Sequence, residues 1–400
     1  MKNLKQYCTS CKKEFPIDSS FPRCDECNEP VEVELFKTGF INSSNQINQT
    51  IWERYADFLP FQGFGNTLTL GEGFTSLVES RSLAEETGTG RLFFKMESQN
   101  PTWSFKDRGT FTGLKHAIRL GYNKIGTVST GNMAASVAAY GAKAGLKTYI
   151  LVSKTIAEEK LNPVAIYNPI LIKVDGDYGD LYFKSIEIGS KNDIYFINSD
   201  VPFRVEGYKT GAFEICEQLE FQVPDYVIVP TSAGGHLRGI IKGFEEFRNA
   251  GLIKDTPKFV CAQASRCSPI YNAFSNGMDK ISRIKKPDTI AHAISNPYPP
   301  SGNAALKKLN ETGGLCTAVS DEEILRAQKI LAENGFFVQP ASATSYAAVQ
   351  KLKKEFVITA KESVVCLLTG SGLKYTEALK KYKLKIQECK VEDLAGLLSD

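Results

Sequence analysis

The chain has 400 residues and 44.1 kDa, with 42% hydrophobic and 23% charged side chains, which excludes disorder, collagen and coiled coil. Its net charge of +3 gives no electrostatic footprint for nucleic acid or a membrane surface. No apolar run approaches the roughly 20 residues of a membrane helix, and at roughly 100–200 residues per domain the length predicts two or three units.

In chain order, the opening MKNLKQYCTSCKKEF lacks the apolar h-region of a secretory signal, so a cytoplasmic location is expected. Four of the ten cysteines fall in the first 27 residues: Cys8, Cys11, Cys24 and Cys27. They read Cys-x2-Cys, a gap of twelve residues, Cys-x2-Cys. A two-residue spacer lets both thiolates of a tight turn face one ion, and two such turns complete a tetrahedral S4 site. About 36 residues cannot build a core alone, so a structural zinc ion would supply the folding energy of this ribbon. A redox cysteine pair or an empty ribbon is the competing reading. Residues 1–36 hold five Lys/Arg against seven Asp/Glu, and a net of −2 repels nucleic-acid phosphate. The ribbon reads as a structural cap or docking module. The remaining cysteines are scattered and read as small buried apolar side chains.

Segment 37–90 is rich in turn residues (Gly63, Gly65, Gly71, Gly73) and is expected to wrap the body. Strands are then predicted at 91–96, 124–129, 147–152, 170–174, 193–198, 225–230, 258–264 and 363–369. Helices are predicted at 106–120, 132–144, 207–219, 236–248, 321–334 and 341–354. Near-continuous apolar strands between helices specify an α/β fold, with two open, largely parallel-sheet domains meeting at a cleft. Residues 285–303 form a proline-rich loop.

Four strand ends carry candidate chemistry. Asn100-Pro-Thr-Trp-Ser-Phe-Lys106-Asp-Arg-Gly109 follows the first of these strands, with Ser104 as the expected N-cap of a helix running through Lys106. The helix's positive end and Arg108 would favour a neutral amine, fit to act as nucleophile or base. A solvated surface lysine is the bland alternative. Ser129-Thr130-Gly131-Asn132 follows another strand and enters an alanine-rich helix, where exposed backbone N–H groups suit a carboxylate or phosphate; a close-packed turn would look the same. Ser232-Ala233-Gly234-Gly235-His236 repeats that placement and suits a phosphate cradle, though it is neither a GxGxxG nor a Walker loop. Thr369-Gly-Ser-Gly372 ends the last strand, a cleft hydroxyl or simply a polar turn. Only three histidines exist, His116, His236 and His292, with no nucleophile-elbow or triad pattern. One lysine among four strand-end loops suggests a bound cofactor rather than hydrolysis by side chains alone.

Taken together, NPTWSFKDRG, STGNMAAS, VPTSAGGH, QPASA and LTGSGLK, in that order and with LGEGFTSL (70–77) upstream, resemble the threonine synthase family of fold-type II pyridoxal-phosphate enzymes. Over roughly residues 65–375 the resemblance implies a lyase of threonine biosynthesis, with pyridoxal 5'-phosphate in the cleft between two domains. It implies that Lys106 is the Schiff-base lysine and Asn132 the partner of the cofactor's phenolic oxygen. The backbone N–H groups of Ser232, Ala233, Gly234, Gly235 and His236 would hold the cofactor phosphate, and Thr369 would face the pyridine nitrogen. Ser129, Thr130 and Gly131 would take the substrate carboxylate. The stretch Asn198-Ser199-Asp-Val-Pro-Phe-Arg204 resembles the family's NS-x-NP-x-R, in which Asn198, Ser199 and Arg204 would grip the phosphate of O-phospho-L-homoserine.

The chain departs from the family pattern at Val201, Tyr208, Ser232-Ala233, Gln339, Ser371 and Tyr375. Those departures leave two competing functions: a β-replacement or elimination enzyme for O-phosphoserine or a related amino acid, and a non-catalytic docking protein. Retention of Lys106, Asn132 and Thr369 argues against the second. The expected division is a ribbon at 1–36 and a catalytic region at 37–400, with 95–200 forming most of the smaller domain and 37–94 plus 201–400 the larger. The expected partner is a small-molecule phospho-amino-acid substrate, with no nucleic acid and no membrane; the assembly allowed for is a homodimer.

Overall fold

In the computed structural model, residues 4–35, 41, 49–61, 67–154, 161–175, 178–382, 386–394 and 398 are described. Three short strands open the chain: β1 (Leu4–Cys8), β2 (Glu14–Pro16) and β3 (Val31–Leu35), which pair antiparallel in the order β2-β1-β3. Next come β4 (Leu77–Glu79), β5 (Arg91–Lys95), β6 (Lys124–Val128), β7 (Lys147–Ser153), β8 (Ile170–Val174) and β9 (Tyr195–Phe196). β10 (Tyr226–Pro230), β11 (Lys258–Ala264), β12 (Leu315–Val319) and β13 (Ser363–Leu367) complete the set. They form a four-stranded parallel sheet, β8-β7-β6-β9, and a six-stranded sheet, β12-β11-β10-β13-β5-β4, in which only the edge strand β4 runs antiparallel. The α/β reading with two parallel sheets and a small N-terminal unit therefore holds.

β12 is an element the sequence reading lacks. It follows Gly313-Gly314, is short and half-buried, and pairs with β11 through Cys261↔Cys316. The expected strand 193–198 contracts to Tyr195–Phe196 because Asn198 leaves the ladder, its side-chain oxygen accepting from Val128 N–H at 3.0 Å. The helices through Lys106 and Asn132 are α1 (Lys106–Arg119) and α2 (Asn132–Ala144). The single helix expected at 207–219 is two: α3 (Pro202–Tyr208) and α4 (Thr210–Gln218). Pro202 starts the first of them, as proline does where its missing N–H costs nothing. α5 (Gly235–Asn249), α6 (Asp321–Glu333) and α7 (Pro340–Lys354) stand where the apolar periodicity predicts them.

Segment 49–61 packs inward. Trp52 stacks on Phe111 of α1 with centroids 4.4 Å apart, and Phe58 lies 5.2 Å from Phe213 of α4. Gly63 and Gly65 lie outside the described residues. Beneath the first turn of α1 is a buried ionic cluster. Arg108 donates to Glu97 at 2.8 Å and to Glu214 at 2.6 and 2.9 Å, while Lys95 meets Glu214 at 2.6 Å. Glu214 also accepts from the N–H groups of Phe74 and Thr75. Four charges thus cancel out of water, tying α1, α4, β5 and the loop before β4 together.

Candidate active site

The carboxyl ends of β5, β10 and β13 are neighbours in one sheet, and those of β6 and β9 in the other. Open α/β sheets bind ligands outside such ends. Between them lies a cavity of about 340 Å³ lined by Lys106, Ser129–Asn132, Ser199, Ser232–His236 and Thr369. Of the residues expected to bind cofactor or substrate, only Asn198 and Arg204 are not among the groups lining it.

Lys106 opens α1 as its first residue, but Ser104 does not cap that helix. The flanking residue is Phe105, the Ser104 hydroxyl has no partner, and the turn is instead fixed by Asp107, which accepts from Thr102 N–H, Thr102 hydroxyl and Ser136 hydroxyl, each at 2.6 Å. A carboxylate beats a hydroxyl here because it can accept all three bonds at once. Phe105 N–H donates to the Thr369 carbonyl at 3.2 Å, which locks the start of α1 to the end of β13.

The Lys106 amine lies 4.3 Å from the Phe105 ring centroid and makes no hydrogen bond among the described residues. Burial first, and the Arg204 charge second, bring its pKa down from 10.5 to about 7. The shift runs in the direction expected from the sequence, toward a neutral amine, although the charged neighbour that contributes to it is Arg204. Arg108 is turned away into the ionic cluster beneath the helix.

Beside the lysine, Asn132 donates to Gln339 at 3.1 Å and leaves its carbonyl oxygen unpartnered. Thr369 and Ser342 share a hydroxyl–hydroxyl bond of 3.0 Å, and Ser342 also bonds the Gly370 backbone. The His236 ring stacks on Phe105 at 3.8 Å with Nδ1 unpartnered. Burial, then the charges of Lys106 and Arg108, hold its pKa well below 6.5, so the imidazole is neutral. Ser199 lines the cavity, and its buried hydroxyl also has no partner.

Gly234 has φ +92°, and α5 begins at Gly235, so the loop's N–H groups and the helix's positive end share one concave surface. A Cβ on Gly234 would sit 2.7 Å from the Ser301 carbonyl oxygen, and one on Gly235 would sit 2.7 Å from that of Ser199. Gly234→Ala is therefore expected to lower cofactor affinity at least about tenfold, since it adds left-handed strain of about 1–2 kcal/mol to a backbone clash. An absorbance titration with pyridoxal phosphate that matched the unaltered chain would contradict this.

Arg204 is fully buried behind the wall. Its guanidinium donates to the Tyr208 hydroxyl at 3.0 and 2.6 Å, to Thr110 at 3.0 Å and to the Lys106 carbonyl at 3.4 Å. Asn198 is likewise internal, bonded to Val128 and Ser185. The sequence reading treats Tyr208 only as a departure and assigns no role to Ser342, Asn296 or His292. Tyr375, another departure, also lines the cavity and stacks on His292 with centroids 6.3 Å apart. The proline-rich composition of 285–303 was the available signal for His292 and Asn296, since such loops form walls.

The N-terminal cysteines converge as well. Their sulfurs lie within 4.8 Å of one another, with Cys8–Cys27 at 3.3 Å and Cys11–Cys24 at 3.6 Å. Zinc–sulfur bonds of about 2.3 Å place tetrahedral ligands about 3.8 Å apart, so four thiolates at these distances fit a structural zinc ion.

Orphaned buried acceptors, an amine, an anion cradle and a shared cavity are together what a phosphorylated, ring-bearing cofactor requires. Residues 68–370 match the family model described as pyridoxal-phosphate dependent enzyme, and the chain belongs to that family. Among solved structures, maize serine racemase aligns with a TM-score of 0.66 at 20% identity, covering 76% of this chain and 90% of its own. Tomato threonine deaminase aligns with a TM-score of 0.65 at 18% identity, covering 81% and 83%. Within the family, the chain belongs to the threonine synthases. It is 39% identical to the threonine synthase of Methanocaldococcus jannaschii, over 99% of this chain and 100% of that one. Its identity to that of Methanosarcina acetivorans is 37%, over 94% and 92%. No helix among the described residues is long and apolar enough to cross a membrane.

Proposed function

We propose that the chain converts O-phospho-L-homoserine and water to L-threonine and phosphate. The observation that carries the reading is a partly neutral Lys106 amine facing a backbone cradle across one cavity, in a chain homologous along nearly its whole length to threonine synthases.

Pyridoxal phosphate, when bound, supplies an electron sink that stabilises negative charge at the substrate carbons. Ser232–His236 would hold its phosphate through backbone N–H groups, Asn132 its ring oxygen, and Thr369, oriented by Ser342, its ring nitrogen. A neutral hydroxyl pair there does not enforce protonation of that nitrogen, which sets a milder electron demand than a carboxylate would.

The protein's own work is binding, orientation and proton movement. Lys106, with a pKa of about 7, can both take and return protons near neutral pH. Ser129, Thr130 and Gly131 present a turn for the substrate carboxylate. Ser199 offers the surface contact for the ester phosphate, while Arg204 supplies charge from behind; Tyr208's hydroxyl must yield before the guanidinium fork can grip that phosphate directly. In this reading residues 95–200, most of the smaller domain, carry the carboxylate turn, and the larger, 37–94 with 201–400, carries the cradle.

The test is phosphate release from O-phospho-L-homoserine and O-phospho-L-serine, with the amino-acid product identified. Threonine formed from the homoserine ester, with release from the serine ester at least about a hundredfold slower, is expected. Preference for the serine ester would overturn the substrate and assign the departures at Tyr208 and Tyr375 to β-chemistry.

A further inference from the structure

The cradle is fixed from behind by two segments. The Ser301 carbonyl abuts Gly234, the Ser301 N–H donates to the Ala233 carbonyl at 3.0 Å, and the Ser199 carbonyl abuts Gly235. Neither segment adjoins the cradle in sequence, so something must hold both against it.

One N-terminal side chain does so. Arg23 Nη1 donates to the Asp200 carboxylate at 2.6 Å and to the Pro300 carbonyl at 3.0 Å, so a single guanidinium joins the residue after Ser199 to the residue before Ser301. Asp200 is fully buried, and Arg23 itself is only 11% exposed. The other face of the guanidinium is anchored within the ribbon. Arg23 Nε donates to the Asn28 carbonyl at 2.8 Å and to its side-chain oxygen at 3.1 Å, Nη2 donates to the same carbonyl, and Cys24 is the next residue. The turn that aims Arg23 is therefore the Cys24–Cys27 knuckle. A second tie runs parallel: Glu32 on β3 meets Arg238 at 2.5 Å, and Arg238, in the first turn of α5, donates to the Ser301 hydroxyl at 3.0 Å.

We propose that the four-cysteine ribbon is a metal-set clamp on the cofactor cradle, with Arg23 as its positioning residue. The inference rests on the cofactor reading above and deepens it: the ribbon's metal and the cofactor, bound at separate sites, are coupled through Arg23, Asp200 and Pro300. Binding free energies coupled in this way are reciprocal, so bound cofactor also tightens metal retention.

The test uses the full chain and reads the Kd of pyridoxal phosphate by absorbance titration, alongside the thermal midpoint of the cofactor-free protein. Arg23→Ala is expected to weaken binding about tenfold, with Arg23→Lys intermediate because one amine cannot span all three partners. Asp18→Asn, which breaks the ribbon's 2.8 Å pair with Arg119 at the far end of α1, is expected to leave Kd unchanged. Removing metal from the unaltered chain with a chelator should weaken binding about as much as Arg23→Ala, and should add little in that variant, because the two act on one path. A lowered midpoint with Kd within about twofold of wild type in Arg23→Ala overturns the clamp and leaves the ribbon a stabilising cap. Equal weakening by Asp18→Asn overturns it as well. Failure of the unaltered, metal-loaded chain to bind pyridoxal phosphate overturns the cofactor reading itself, an outcome distinct from either.

Discussion

Lys106→Ala is expected to abolish the borohydride-reducible covalent adduct that the purified chain forms with pyridoxal phosphate, and to reduce phosphate release by at least about 10³-fold. Among the described residues no other amine lines the cavity, so none of them is placed to take over its proton traffic. Cavity volume and cradle stay intact, so the variant should still take up the cofactor as a non-covalent ligand. The unaltered chain should show the sign of the shift. Burial and then Arg204 hold the amine near 7, so covalent capture of cofactor should rise as pH climbs through about 7 and level off above it, far below the ordinary lysine value of 10.5. Half-capture near 10 would mean that the amine is solvated and would remove the basis for its role. Retained catalysis in Lys106→Ala would sink the assignment outright.

Glu214→Ala should cost about 3–5 kcal/mol of stability, because it leaves Lys95 and Arg108 buried without their shared counter-ion. The same change deprives the Phe74 and Thr75 N–H groups of their acceptor. Its measure is the urea midpoint, and a midpoint equal to that of the unaltered chain would refute the account. The linkage has a definite sign. Burial raises the Glu214 pKa, Arg108 and Lys95 outweigh it, and the carboxyl titrates at about 2 rather than 4.5. Its stabilisation is complete above 4.5 and is lost as pH falls through about 2, so the urea midpoint of the unaltered chain should drop across that window and that of the variant should drop less.

These two residues show what a sequence exposes and what it withholds. Lys106 was legible because its neighbours, Asn-Pro before it and a helical pattern after it, place it at a strand end whatever the rest of the chain does. The cysteine spacing was legible for the same local reason. The strand ends bearing Ser129–Asn132, Ser232–His236 and Thr369 followed from apolar runs that only parallel strands explain, and all three loops meet at one cavity. Arg108 was misread because its orientation is decided by Glu97 and by Glu214, 106 residues away. Ser104 was misread because Asp107 offers a better acceptor to the same turn. Arg204 bonds Tyr208 one turn further along α3, and it bonds Thr110 only because of how α3 crosses α1. Strand β12 was hidden by its composition, since in Leu315-Cys-Thr-Ala-Val319 only the two end residues are large and apolar, and the start of α3 was marked only by Pro202.

The two partners that Arg23 joins lie 177 and 277 residues further along the chain. At about 5–20 residues per second, synthesis reaches Pro300 some 15–55 seconds after Arg23. Once Leu35 is made, 12 residues after Arg23, the four cysteines and the three strands around them are complete, while the surface they dock against stays unfinished until Pro300. Among the described residues, the ribbon thus gathers all four of its metal ligands before the site it steadies has been made.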